Sequence, residues 1–407
     1  MPITTLLFDL DDTLLGNDIH KFVPAYLRQF SAHAAGLVPP QTFMDSVLAG
    51  AQAMLKNGDP RCTLEEVFED VFYSRVKAPR NELRSLIDSY YEQSFPALRS
   101  ETALIAAARE IMQWAFGSGL RVAIATNAMF PRAAILHRLE WAGISASEFP
   151  YSLVAALDFM HFAKPRPEFF AEVLTRLDCR PEEALMIGNE WPNDIAPAAT
   201  MGIHTFWIAP AGSPPPQNHA RPIGSGTLAD FLGWAQESGN MNSLSPLPAT
   251  PRSVRAQQAA STATILEVAK NVPLEKWSRR PDGDEWSLTE IACHLRDVEI
   301  EVNLPRLQKI LDESNPFISA VESDPWAVAR DYRSQSGPAA LAAFADARCE
   351  TIALLDRLSP DEWQRSARHA IFGPTHLREL VALTNEHDRA HLRQMREYLL
   401  LGYNSDG

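Results

Sequence analysis

The sequence predicts two units of different class in one chain: an α/β unit on a doubly wound parallel sheet, then an all-α four-helix bundle. Three observations carry the prediction. Short apolar runs alternate with helical patterns over roughly the first 236 residues, which gives a parallel sheet with helices on both faces. A stretch rich in proline and glycine follows from Ala209 to Gly226, where regular structure is not expected; after a short helix expected at Thr227 to Gln236, prolines recur at Pro246, Pro248 and Pro251. Beyond it the pattern is helical alone.

At 407 residues the chain exceeds one ordinary core, which already favours two or three domains. Hydrophobic content of 46% and charged content of 22% exclude a wholly disordered chain. The net charge of -14 repels phosphate backbones and no basic cluster offsets it, so no nucleic-acid partner is expected. Cys62, Cys179, Cys293 and Cys349 form no CxxC pair, and reduced thiols in a cytoplasmic protein account for them. Cys293 adjoins His294, but neighbouring helix positions point about 100° apart, so a packed core thiol is expected. The most apolar helix, Ala103 to Gly117, contains Arg109 and Glu110; neither a signal peptide nor a membrane span is expected.

Taken in order, the chain begins with Leu6-Leu7-Phe8-Asp9-Leu10-Asp11-Asp12-Thr13, an apolar strand that breaks into carboxylates two apart. Asp9 and Asp11 therefore project to one side. Such a pair suits phosphoryl transfer, because one carboxylate can attack phosphorus while the other gives a proton to the leaving oxygen and takes one from water. A divalent cation lets the two coexist. About 100 residues then separate this strand from the next, with helices expected at Ile19 to Ala34, Gln41 to Lys56, Thr63 to Ser74, Glu82 to Gln93 and Glu101 to Phe116. The last is the expected crossover, which leaves roughly 16–96 as a helical cap over the strand end.

Further strands are expected at Arg121 to Thr126, Ser152 to Ala155, Ala184 to Ile187 and His204 to Ile208. Helices are expected between them at Pro131 to Trp141, Pro167 to Leu177 and Asp194 to Met201. Thr126 and Asn127 end the second strand with a hydroxyl and a backbone N–H able to hold phosphate oxygens. Lys164, before a proline-led helix start, supplies a fixed positive charge. Gly188, Asn189, Glu190 and Asp194 place oxygen donors of the kind Mg2+ prefers after another strand.

In this order, Asp9-x-Asp11-x-Thr13, Thr126-Asn127, Lys164-Pro165 and Gly188 to Asp194 resemble the haloacid dehalogenase (HAD) superfamily over roughly residues 1–236. The resemblance implies Asp9 as nucleophile, Asp11 as general acid and base, Thr126 and Asn127 as phosphate-positioning groups, and Lys164 as the stabilising charge. It also implies Mg2+ held by Asp9, the Asp11 carbonyl and the loop carrying Asn189, Glu190 and Asp194. Where the family has Gly-Asp, this chain has Gly188-Asn189, and a neutral oxygen there weakens the cation site unless Glu190 or Asp194 takes over. Dehalogenating members lack the second Asp, so Asp11 favours phosphate over halide, with haloacid dehalogenation the alternative.

The expected domains are 1–237, a proline-containing linker at 238–252, and a bundle at 253–407 with helices at Ser253 to Asn271, Ser287 to Asp312, Pro338 to Leu358 and Thr375 to Leu400. His387 and His391 are four apart, on one helix face. His294 lies between Ile291 and Leu295 and faces inward. Trp286-Ser287, His294 with Asp297 and Glu299, and His387-x-x-x-His391 with Gln394 resemble the DinB family of four-helix metalloproteins over roughly 254–403. That implies a second divalent site on the three histidines, for Zn2+, Ni2+ or Fe2+. His369 and His376 are expected to support that site or lie at the surface.

The expectation is therefore a Mg2+-dependent phosphatase of a small phosphorylated metabolite fused to a three-histidine metal domain. Two alternatives are a thiol S-transferase in the bundle, using a low-molecular-weight thiol beside a weakened hydrolase, and a non-catalytic bundle that binds metal or pairs into a homodimer.

Overall fold

The computed structural model describes residues 2–210, 212–216, 220–237, 239–281 and 285–403. It divides into two compact units, Met1–Gly58 with Cys62–Ala249, and Asp59–Arg61 with Thr250–Gly407. Residues 239–249, expected in the linker, belong to the first unit: Met241 is buried, its carbonyl accepts from the Ile3 N–H at 2.9 Å, and the Ser245 carbonyl lies 3.0 Å from His204 Nε2. Ser238, the expected start of the linker, lies outside the described residues.

In the first unit β1 (Thr5–Phe8) is buried throughout, as a continuous apolar run in a central parallel strand must be. The chain then curls, the Leu10 carbonyl accepting from Leu14 and Leu15 N–H, and enters β2 (Leu15–Gly16). Four helices follow: α1 (Ile19–His33), α2 (Pro40–Lys56), α3 (Leu64–Arg75), with Thr63 and Glu66 forming a capping box, and α4 (Arg80–Ser89). A π-helical turn at Tyr90–Ser94 and a 3-10 turn at Phe95–Glu101 lead into β3 (Ala103–Leu104). β3 pairs antiparallel with β2 and closes the base of the insertion.

The helix expected over Glu101 to Phe116 is thus only α5 (Ala106–Gly117), because the residues before it are drawn into that two-stranded stem. The cap accordingly extends past the expected end at 96. Its core is aromatic: Phe30 stacks on Tyr90 at 4.3 Å and Phe95 on Trp141 at 5.4 Å between ring centroids.

The unit continues through β4 (Arg121–Ile124), α6 (Arg132–Trp141), β5 (Leu153–Val154), α7 (Pro167–Arg176), β6 (Ala184–Gly188), α8 (Ala196–Thr200), β7 (His204–Ile208), β8 (Gly224–Gly226) and α9 (Leu228–Gln236). The expected helix from Asp194 is replaced at its start by a π-helical turn, Trp191–Ile195. The strands form one parallel sheet in the order β5-β4-β1-β6-β7-β8. β8 corrects the expectation of no regular structure after Ala209. It needs glycine there, since a Cβ on Gly224 would lie 2.6 Å from the Phe206 ring.

Phe8 is level with Ile124 on one side and Ile187 on the other. The carboxyl ends of β1, β4 and β6 therefore finish together, and the residues after them share one crevice.

The second unit contains α10 (Pro251–Ala269), α11 (Leu288–Val298), α12 (Leu304–Asp312), β9 (Phe317–Ile318), α13 (Trp326–Ala329), α14 (Gly337–Leu355), β10 (Ser366–His369), β11 (Gly373–His376) and α15 (Leu377–Tyr403). The helix expected over Ser287 to Asp312 is interrupted by a π-helical turn at Glu299–Asn303, just before Pro305, which has no N–H to donate. The expectation of helices alone is also corrected, because β11-β10-β9 form a small sheet and the last helix starts at Leu377, not Thr375. Leu288, Ile291, Leu295, Phe344, Leu392 and Met395 are buried in its core.

Candidate functional site

In the first unit the buried Lys164 ammonium donates to Asp9 Oδ1 at 2.9 Å and to Asp194 Oδ1 at 2.6 Å. The backbone N–H of Lys164 donates to Asn127 Oδ1 at 3.1 Å, which ties the β4 end to the lysine segment. Burial, with Asp194 beside it, pushes the Asp9 carboxyl above its ordinary value, and Lys164 opposes this. Burial opposes charge on Lys164, but the two carboxylates outweigh it and hold the ammonium protonated. Two carboxylates share one buried cation, so the donor set retains unmatched negative charge and fits a divalent cation.

Asp11 stands beside this group with other partners. Its Oδ1 accepts from Asn17 Nδ2 at 2.7 Å, and its Oδ2 pairs with Arg138. Arg138 is fully buried, with its guanidinium carbon 5.3 Å from the Phe130 ring centroid. Sequence reasoning missed it. The available signal was its place on the inward stripe of α6 with Ala134, Ile135 and Leu139.

The Gly188 loop departs from a simple ligand array. Asn189 Oδ1 accepts from the Thr13 hydroxyl at 3.1 Å, and its carbonyl accepts from Trp207 Nε1 at 3.0 Å. Glu190 is exposed and its carboxylate accepts from Asn193. Asp194 Oδ2 accepts from the Glu190 N–H at 2.9 Å, so both its oxygens are engaged, one by Lys164. A Cβ on Gly188 would meet that carboxylate at 2.4 Å, hence the glycine. Asp9, Asp11, Thr126, Asn127, Lys164, Asn189 and Glu190 all line one cavity of about 720 Å3 beneath the cap.

The model of the haloacid dehalogenase-like hydrolase family matches residues 3–202, and that of the DinB superfamily matches residues 257–395. The first unit belongs to the haloacid dehalogenase-like hydrolases. Its companion is a DinB-superfamily domain.

Among curated relatives, the ribulose-1,5-bisphosphate 5-phosphatase of Halopiger xanaduensis is 26% identical over 221 residues, 51% of this chain and 85% of its own. The pyrophosphatase PpaX of Anoxybacillus flavithermus is 27% identical over 212 residues, again 51% of this chain and 85% of its own. The uncharacterized protein YuaE of Bacillus subtilis is 23% identical over 142 residues, 31% of this chain and 86% of its own.

In the DinB domain, α11 and α15 bring His294, His387 and His391 together. Among the described residues they are the only three His, Cys, Asp or Glu side chains whose donor atoms all lie within 4.8 Å of one another. His387 Nε2 is 3.1 Å from both His294 Nε2 and His391 Nε2. The outer nitrogen of His391 faces Gln394 Oε1 at 2.7 Å, which sets its proton on Nδ1 and leaves Nε2 bare. Burial and the neighbouring imidazoles push His294 down to about 3 and His391 down to about 4, so both stay neutral. Trp286 stacks parallel to His391 at 6.1 Å.

Behind His387, Arg348 is buried between Asp388 and Glu299, donating to Glu299 Oε2 at 2.9 Å. Thr351 donates to Glu299 Oε1 at 2.5 Å. This network carries one cation against two carboxylates, which favours a cation nearby. Cys293 is buried apart from the trio, its thiol pushed up to about 11 by burial. His369 is buried and stacks on Phe372 at 4.8 Å, while His376 is exposed beside Glu379; neither joins the cluster. No helix among the described residues is long and apolar enough to cross a membrane.

Proposed function

We propose that the first unit is a Mg2+-dependent phosphatase that hydrolyses a small phosphomonoester through an aspartyl phosphate on Asp9. The observation that carries this is the Asp9–Lys164 pair, backed by Asp194, at the floor of a cavity that also presents Asp11, Thr126 and Asn127. Relatives named for acting on pyrophosphate and ribulose bisphosphate support phosphate over halide, and Asp11 supports it independently.

Asp9 attacks phosphorus, the ester P–O bond breaks, and the leaving oxygen takes a proton from Asp11. Water then attacks the aspartyl phosphate and gives its proton to Asp11, which restores Asp9 and releases inorganic phosphate. Lys164 offsets charge on the nucleophile and the transferring group, while Thr126 and Asn127 orient the phosphate oxygens. Asp9, the Asp11 carbonyl and Asn189 are the groups that would hold Mg2+, whose contribution is to neutralise phosphate charge.

The second unit holds a divalent cation on His294, His387 and His391. Three converging Nε2 atoms favour this, and three protein ligands are the number that leaves a position for water or a thiolate. The deciding experiment is Mg2+-dependent phosphate release from a panel of phosphomonoesters by wild type and Asp9→Asn. Release is expected to fall by about a thousandfold or more in the variant, and equal turnover by the two proteins would remove the nucleophile assignment.

A further inference from the structure

We infer that the cavity over Asp9 selects esters that carry one phosphate and a bulky, apolar alcohol, an inference that rests on the phosphatase reading above. Its volume of about 720 Å3 is far more than a phosphate needs and suits a ligand with a large organic portion. The charged groups of catalysis sit at its floor, and the walls above them differ in kind. α1 contributes Val23 and Leu27, α2 contributes Leu48, α3 contributes Phe68 and Phe72, and Phe130 follows β4. Leu48 is 50% exposed, apolar surface that a ligand would cover.

The polar groups above the floor argue against polyanionic substrates. Tyr26 and Tyr91, the buried hydroxyls of the wall, are hydrogen-bonded to each other at 2.8 Å, which leaves one of their two protons for a ligand. Among the described residues the lining cations are Lys164, Arg138 and Arg84, and each is already paired. Lys164 lies between Asp9 and Asp194, Arg138 is against Asp11, and Arg84 is 3.4 Å from both Glu65 and Glu69. Asp88 and Glu92 add further carboxylates to the same lining. A second phosphate would have to break one of these pairs and face the released acids.

The test uses the full chain with Mg2+ and a series of straight-chain alkyl phosphates from methyl to octyl, whose leaving groups differ little in basicity, beside pyrophosphate and fructose 1,6-bisphosphate. The value of kcat/KM is expected to rise by about threefold to fourfold per methylene until the cavity is filled, and octyl phosphate is expected to exceed both polyanions at least about tenfold. A flat alkyl series, or a polyanion turned over as well as octyl phosphate, overturns the inference and leaves the phosphatase reading intact.

Calorimetry on Asp9→Asn separates the two in the other direction. Tighter binding of octyl than of ethyl phosphate or pyrophosphate supports the cavity assignment even if wild type releases no phosphate, an outcome that removes the phosphatase reading alone. Leu48→Asp, at a half-exposed position that folding tolerates, is expected to cut the ratio of octyl to methyl kcat/KM by about tenfold or more. An unchanged ratio counts against the inference.

Discussion

At the floor of the hydrolase cavity, Lys164 separates Asp9 from Asp194 and Arg138 meets Asp11, so two cations of the chain serve three acids. At the centre of the DinB domain, His294, His387 and His391 turn three ring nitrogens toward one another, and a single proton can bridge only one of the two 3.1 Å pairs. The first arrangement is held chiefly by internal ion pairs, with one carboxylate charge in excess. The second leaves at least one of its two pairs acceptor against acceptor and gains its full stability from a cation. The difference teaches where each unit draws its order: the hydrolase site from its own charges, the histidine site from what it binds.

The largest effect expected from breaking this contrast is at Lys164. Lys164→Met leaves Asp9 and Asp194 buried together without their cation, at a cost of about 3–5 kcal/mol in stability. Turnover falls with it by about a hundredfold to a thousandfold. Denaturant unfolding and phosphate release read the two, and a stable, active variant would mean that the ion pairs do not organise the site.

Metal removal should act on the other unit. Chelation is expected to raise amide exchange in α11 and α15 by the equivalent of about 2.7 kcal/mol if the cation had stood at a hundredfold over its Kd. β1, β4 and β6 should be unaffected, and His391→Ala should abolish the response. Uniform loss of protection across both units would break the comparison.

The smallest effect is at Asn189. Replacing its neutral oxygen by a carboxylate in Asn189→Asp should tighten the Mg2+ dependence of hydrolysis by several-fold, on the order of 1 kcal/mol. A Mg2+ titration of turnover that does not shift would show that Asn189 is not near the cation.

Much of this architecture was legible because it is periodic or punctuated. The apolar run ending in Asp9 and Asp11 marks β1, the alternation after it marks the sheet, and the i, i+4 spacing of His387 and His391 puts both on one face of α15. The stem of β2 and β3 was not, since two-residue strands have no pattern of their own and exist only because 15–16 and 103–104 meet. β8 was hidden for a related reason: a Gly-Ser-Gly edge strand has no propensity of its own and forms where the Phe206 ring allows a close approach.

By itself the sequence determined which residues could do chemistry: the two carboxylates after an apolar strand, the lysine before a proline-led helix, and three histidines on inward helix faces. Their nearest neighbours were decided by tertiary structure alone. Asp9 and Asp194, 155 and 30 residues from Lys164, turned out to share it. Arg138 met Asp11, and Arg348 came to lie between Asp388 and Glu299. Periodicity places a side chain on a face, but the energy of a buried charge depends on the counter-charge across that face. Only folding brings the two within reach.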